Sequence, residues 1–210
     1  MRPLVNLIMA LVIVAILTAS SALVIRADAS HSEFGPHPGD RLVIAIDPAA
    51  TDHDALTTGL GRCPSAFLRG SYTALWTVHE PGDAKAWKRC LRDHDIHAGK
   101  GWVTQAFVEY DEKAIFIRPG HPDEAAGDLL HEIGHVLYHW ELTDAQRARY
   151  QGVWAQECKN GPLPSAYGGT DVEESFCEDF RARFTAGPAK VSDGANALFD
   201  TLIGPMNAIR

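Results

Sequence analysis

Basic clusters are missing from this sequence: lysine and arginine total 19 against 27 aspartates and glutamates, and never more than two basic residues stand together. With a formal net charge of -8 and no stripe to follow a phosphate backbone, nucleic acid is excluded as the expected partner. Cysteine is scarce as well. The four present, Cys63, Cys90, Cys158 and Cys177, include no two that are two to four residues apart, so a cysteine-built zinc site is not expected. Internal repeats and low-complexity segments are also absent, which argues against a stacked-repeat architecture.

What is present begins with an export segment. Arg2, the apolar run from Leu4 to Leu17 and the small residues behind it mark residues 1–29 as a signal peptide, cut after Ala22 or Ala29. The alternative is a retained membrane anchor, because Leu4 to Ile25 is 22 residues long with few polar breaks. Both readings place the working domain outside the cytoplasm, secreted or anchored. Residues 30–40, with Gly35, Pro36, Pro38 and Gly39, read as a linker. Residues 41–210 then suit one domain with one core, expected as a monomer. An even cysteine count in an exported chain points to two disulfides, with Cys63–Cys90 and Cys158–Cys177 favoured as the short loops.

Strand signals fill the first half. Arg41 to Asp47, Thr73 to Glu80, and the arms Val103 to Tyr110 and Ala114 to Arg118 read as strands, the last two as a hairpin, with a short helix near Ala84 to Arg92. From Pro122 the period changes. Leu129, Leu130, Ile133, Val136, Leu137 and Trp140 recur as one face of a helix, and further helices are expected over Thr143 to Cys158, Val172 to Phe184 and Ala195 to Ile209. Strands first and helices after predict an α+β domain: a mixed sheet, a metal-binding helix and a helical C-terminal half.

The chemistry concentrates in His131-Glu132-Ile133-Gly134-His135, an H-E-x-x-H pattern. On a helix the two histidines stand one turn apart on one face and reach a single ion, while Glu132 beside them serves as general base to a metal-bound water. Zn2+ is the expected cofactor. The longer pattern that has Gly at position 138 and His at position 141 is ruled out by Tyr138 and Glu141. His139 lies one further turn along and reads as a surface residue, since three ligands on successive turns of one straight helix cannot surround an ion. Glu174 and Glu178, four apart on a predicted helix, read either as a solvated face or as a metal ligand and a partner that orients a ligand histidine.

The stretch Tyr167-Gly168-Gly169-Thr170-Asp171-Val172-Glu173-Glu174-Ser175-Phe176-Cys177-Glu178-Asp179-Phe180 resembles the second-helix motif of the lethal-factor-like gluzincin peptidases. In that family an H-E-x-x-H helix is followed by a Tyr-Gly-x-Thr-Asn/Asp loop and a Glu-x-Phe-Ala-Glu-x-Phe helix. The resemblance spans about residues 107–184, and Ile133, Ser175 and Cys177 depart from the usual types. It implies His131 and His135 as zinc ligands, Glu174 as the third, Glu132 as base, Glu178 behind the ligands and the Tyr167 hydroxyl as oxyanion donor. The expected function is zinc-dependent hydrolysis of peptide bonds in a peptide or protein substrate, with the Ala114–Arg118 strand edge as a place for an extended peptide to pair. The competing expectation is a catalytically silent protein of the same fold that binds a protein partner or holds zinc.

Overall fold

The computed structural model describes residues 41–64, 73–97, 103–140, 142–161, 163, 165–187 and 190–203. The export segment and linker expected over residues 1–40 lie outside the described residues. Among those described, no helix is long and apolar enough to cross a membrane.

Four strands form one mixed sheet: β1 (Arg41–Ile46), β2 (Thr73–His79), β3 (Ala106–Glu109) and β4 (Ala114–Ile117), in the order β1-β2-β4-β3. β1 pairs with β2 and β2 with β4 in parallel, while β3 returns antiparallel to β4, with Phe107 opposite Phe116. The helix α1 (His53–Arg62) connects β1 to β2, and α2 (Ala84–Asp93) follows β2. The sequence pattern indicates α2 but not α1. The HDALTTGLGR stretch of α1 is rich in poor helix formers, and its Asp52 carboxylate accepts from the amides of Gly120 and His121 instead of capping the helix, so tertiary packing of Leu56 and Gly59 holds it in place.

The two faces of the sheet bury different partners. Trp76, Val78, Ile115 and Ile117 face the main core with α1 and α3 (Pro122–Trp140), whereas Ala114 and Phe116 join Phe107 and Trp87 of α2 in a smaller cluster. All four residues of β4 are therefore buried, as its uninterrupted AIFI sequence requires of a central strand. This corrects one expectation: Ala114–Arg118 offers no free edge, and β3 is the outer strand on that side.

Behind α3 pack α4 (Asp144–Asn160), α5 (Val172–Ala186) and α6 (Asp193–Ile203). Thr143 and Gln146 form a capping box at the start of α4, and the Asp171 carboxylate caps α5 by accepting from the amides of Glu173 and Glu174. Tyr138, Tyr150, Phe176, Phe180 and Phe199 interlock between these helices, each worth roughly 1.5–3 kcal/mol of burial by the transfer rule. Arg183 fastens α6 through the Asn196 carbonyl at 3.1 Å, its side-chain oxygen at 2.6 Å and the Asp200 carboxylate at 2.6 Å.

Candidate metal centre

Two helices build the site, and a missing side chain lets them meet. A Cβ placed on Gly134 of α3 would lie 2.9 Å from the Cα of Cys177 on α5, so only glycine admits this crossing without displacing backbone. The close approach brings His131, Glu132 and His135 against Glu173, Glu174, Cys177 and Glu178. The Asp171 cap starts α5 so that Glu173 and Glu174 fall in its first turn, where the helix dipole favours negative charge.

Both imidazoles turn Nε2 towards the same carboxylate oxygen. His131 Nε2 is 3.1 Å and His135 Nε2 is 3.5 Å from Glu174 Oε2. Both also turn Nδ1 towards a second carboxylate: His131 to Glu178 Oε1 at 2.8 Å and His135 to Glu173 Oε1 at 2.6 Å. The first of these is a close charge contact rather than an aligned hydrogen bond, since His131 Nδ1 is buried without one. His139 Nε2 approaches both oxygens of Glu173, at 2.9 and 3.0 Å, and is half-exposed; it turns away from the shared Glu174 oxygen.

Two of the three spacings in this donor set, from each imidazole to Glu174, are those a zinc ion would ask for. Nitrogen and oxygen ligands at about 2.0–2.1 Å from a tetrahedral centre stand roughly 3.3–3.4 Å from each other. The two nitrogen-to-Glu174 distances, 3.1 and 3.5 Å, bracket that spacing. The Nδ1 contacts to Glu173 and Glu178 have the form of the outer carboxylates that fix ligand tautomer and ring orientation. A second donor group overlaps the first. His131, His135 and Cys177 each offer one ligand atom, all within 4.8 Å of one another.

The electrostatics follow from enclosing carboxylates and imidazoles together. Burial works against a charged His131 ring, but Glu174 and Glu178 overcome it and raise its pKa to about 9. His135 is raised too, burial again opposing and Cys177, Glu173 and Glu174 prevailing. Burial resists ionisation of Glu173, yet its bonds to His135 and His139 bring it down to about 2. Glu174 is lowered in the same way by His131, His135 and Tyr167. Glu132 takes the opposite course: it is buried and no histidine bonds it directly, so burial raises its carboxyl. Glu132 and nearby Asp128 are thus raised by burial, while Glu173, Glu174 and Glu178 are held ionised by the imidazoles.

Tyr167 stands at the mouth, with its hydroxyl donating to Glu174 Oε1 at 2.8 Å and its side chain partly exposed. The site opens into a cleft of about 1040 Å³. One wall is Val103 to Val108, including the β3 edge; the other carries Ser165, Ala166, Tyr167 and the α5 carboxylates.

The structure brings together every residue singled out for the site, and adds Glu173 and Cys177. Glu173 is hidden in the sequence beside Glu174, because only three-dimensional placement shows which member of an acidic pair faces which histidine. The expected disulfides do not form. All four cysteines are free thiols: Cys177 is buried between α3 and α5, and Cys158 is exposed near the end of α4. Short separation along the chain does not translate into proximity, because Cys177 is turned towards Gly134. His94 packs on Phe107 and Phe116 and bonds the Cys90 carbonyl at 2.9 Å. His97 pairs with Asp95, so the two do not converge on one point. No family model and no curated protein sequence matches the chain.

Proposed function

We propose that this protein is a zinc-dependent endopeptidase. The observation that carries the reading is the convergence of two Nε2 atoms on one Glu174 oxygen, with each Nδ1 backed by its own carboxylate. His131, His135 and Glu174 would hold the ion, which when bound acidifies a water molecule towards neutrality and polarises a substrate carbonyl. Glu132 is the base that accepts the water proton and passes it to the departing amine. Its burial supports this role, because a raised carboxyl pKa lies closer to that of the groups it exchanges protons with. Tyr167 presents a hydroxyl beside Glu174, where it can donate to an oxygen that gains charge as the carbonyl is attacked.

A peptide is the favoured substrate because of the wall opposite the helices. Among the described residues β3 pairs on one side only, which leaves its other edge for main-chain hydrogen bonds from an extended chain, and it lines the cleft. The export segment read in residues 1–29 puts this activity outside the cytoplasm, secreted or anchored. One observation favours a second reading, a metal-holding protein without turnover: the Cys177 thiol beside the two imidazoles.

The test compares the exported domain with Glu132→Gln for zinc content and cleavage of a mixed peptide library. Zinc near one per chain in both, with cleavage only by the unsubstituted protein, is the expected result. Zinc without cleavage selects the second reading, and no zinc overturns both.

A further inference from the structure

The proposed peptidase mechanism leaves a buried nucleophile beside the histidines unused. Cys177 is completely buried on α5, three residues after Glu174 and one before Glu178, hence on the face turned towards α3. Its Sγ fills the space that a Gly134 side chain would occupy, 3.1 Å from that Cβ position. It is also within hydrogen-bonding reach of His135. Its sulfur and one nitrogen of each histidine lie within 4.8 Å of one another.

We propose that Cys177 is a fourth metal ligand, its thiolate closing the shell formed by His131, His135 and Glu174 in the resting protein. The inference rests on the zinc-peptidase reading and adds a regulatory state to it. Thiolate is a softer donor than water and a preferred ligand of zinc, binding at about 2.3 Å. Sulfur and nitrogen vertices of such a shell are roughly 3.5 Å apart, so the sulfur needs to approach by about 1 Å, within the sweep of one side-chain rotation. Binding the ion releases the thiol proton to solvent, one per ion. With sulfur bound, no vertex remains for water, and the protein stores zinc in a latent form. Substrate binding or a competing ligand frees the vertex: the thiolate leaves the ion, takes back one proton from solvent and returns to its pocket as the thiol.

The experiment replaces zinc by cobalt in the full exported domain and records the near-ultraviolet spectrum, where a cobalt-bound thiolate gives a strong charge-transfer band. The band is expected in the unsubstituted protein and absent in Cys177→Ser and Cys177→Ala. In chelator competition both variants are expected to lose at least about 10-fold in zinc affinity, while their peptidase activity rises. Stoichiometric cobalt without the band overturns the thiolate ligand and leaves the peptidase reading intact. Failure to take up cobalt at all overturns the reading beneath it. The spectrum of the unsubstituted protein decides the question even if neither variant folds.

Discussion

Replacing Gly134 by alanine should cost both stability and metal affinity, although alanine is the better helix former. The substitution adds a methyl group whose nearest neighbours are Cys177 Cα at 2.9 Å, Sγ at 3.1 Å and Cβ at 3.2 Å. In an open helix interior, Gly to Ala gains up to about 1 kcal/mol. Here the nearest neighbour is backbone, so relief requires α3 and α5 to separate by several tenths of an ångström. Ile133, Leu137, Phe176 and Phe180 between them are fully buried and transmit that shift. Overpacking of this kind costs about 1–3 kcal/mol, and against a rigid backbone the upper end applies, leaving a net loss of about 1–2 kcal/mol. For a domain of this size that lowers Tm by roughly 2–8 °C. The same separation moves Glu174 relative to His131 and His135, so zinc affinity falls too. Calorimetry and chelator competition on Gly134→Ala measure both effects. Adding Cys177→Ala removes the clash with sulfur but leaves the clash with the α5 backbone, so the double variant recovers only part of the loss. A Gly134→Ala protein with raised Tm and unchanged zinc affinity would refute the close crossing as the feature that sets the site.

Tyr167→Phe removes the hydroxyl that bonds Glu174 while keeping the ring. Steady-state kinetics should show kcat down by about 100- to 1,000-fold with zinc content unchanged, and an unchanged kcat removes the oxyanion role. Glu80 is raised above its ordinary 4.5 chiefly by burial, with the amide of Asp52 on one oxygen at 2.6 Å and the other oxygen without a partner. Its sign is definite: as pH rises past the unfolded value, the free chain ionises while the fold resists, so stability declines until the raised folded pKa is passed. Glu80→Gln imitates the protonated form, and denaturation at about pH 5 and about pH 8 should show the variant gaining on the parent at the higher pH. A constant difference would mean that Glu80 ionises as easily in the fold as outside it. Arg183→Ala should cost about 1–3 kcal/mol by removing the charged hydrogen bonds to Asn196 and Asp200, and hydrogen exchange should rise first in α6; unchanged α6 protection contradicts this. Chelation should lower Tm, since zinc at 1,000 times its Kd adds about 4 kcal/mol; a Tm indifferent to zinc is inconsistent with a bound ion.

The elements legible in the sequence are those whose local pattern and tertiary environment agree. α3 has apolar residues at helical spacing, Pro122 at its first position and acids in its first turn; α5 has an Asp cap and two glutamates behind it. Both begin where the pattern indicates. The hairpin lies in place, though its first arm is shorter, Ala106–Glu109 against an expected start at Val103. Two things are out of reach. α1 has little local reason to be helical, and what holds it is Gly59 against Ala126 of α3, a residue 67 positions further along the chain whose carbonyl oxygen is 2.8 Å from the Gly59 Cβ position. Strand order is the other, because an apolar run such as AIFI marks a buried strand without saying which neighbour covers each edge.

For the site, spacing indicates which residues share a helix face, and the fold has to supply what lies across from that face. His131 and His135 are readable together because they stand one turn apart in a short motif, while Glu174 is joined to them in the sequence only by the resemblance of the 167–180 stretch. The division of labour among the carboxylates is not readable, because it depends on which of four similar groups is bonded. Glu173, Glu174 and Glu178 each meet an imidazole at 2.6 to 3.5 Å and are held ionised, while Glu132 has no such partner and is pushed the other way by burial. That asymmetry is what a hydrolytic site needs, since a base must take and return a proton while ligands must not. The same enclosure puts Cys177 within reach of the histidines, so one helix crossing supplies both a base suited to turnover and a thiol suited to stopping it. On the proposed zinc reading, which of water and sulfur takes the fourth vertex decides between turnover and storage.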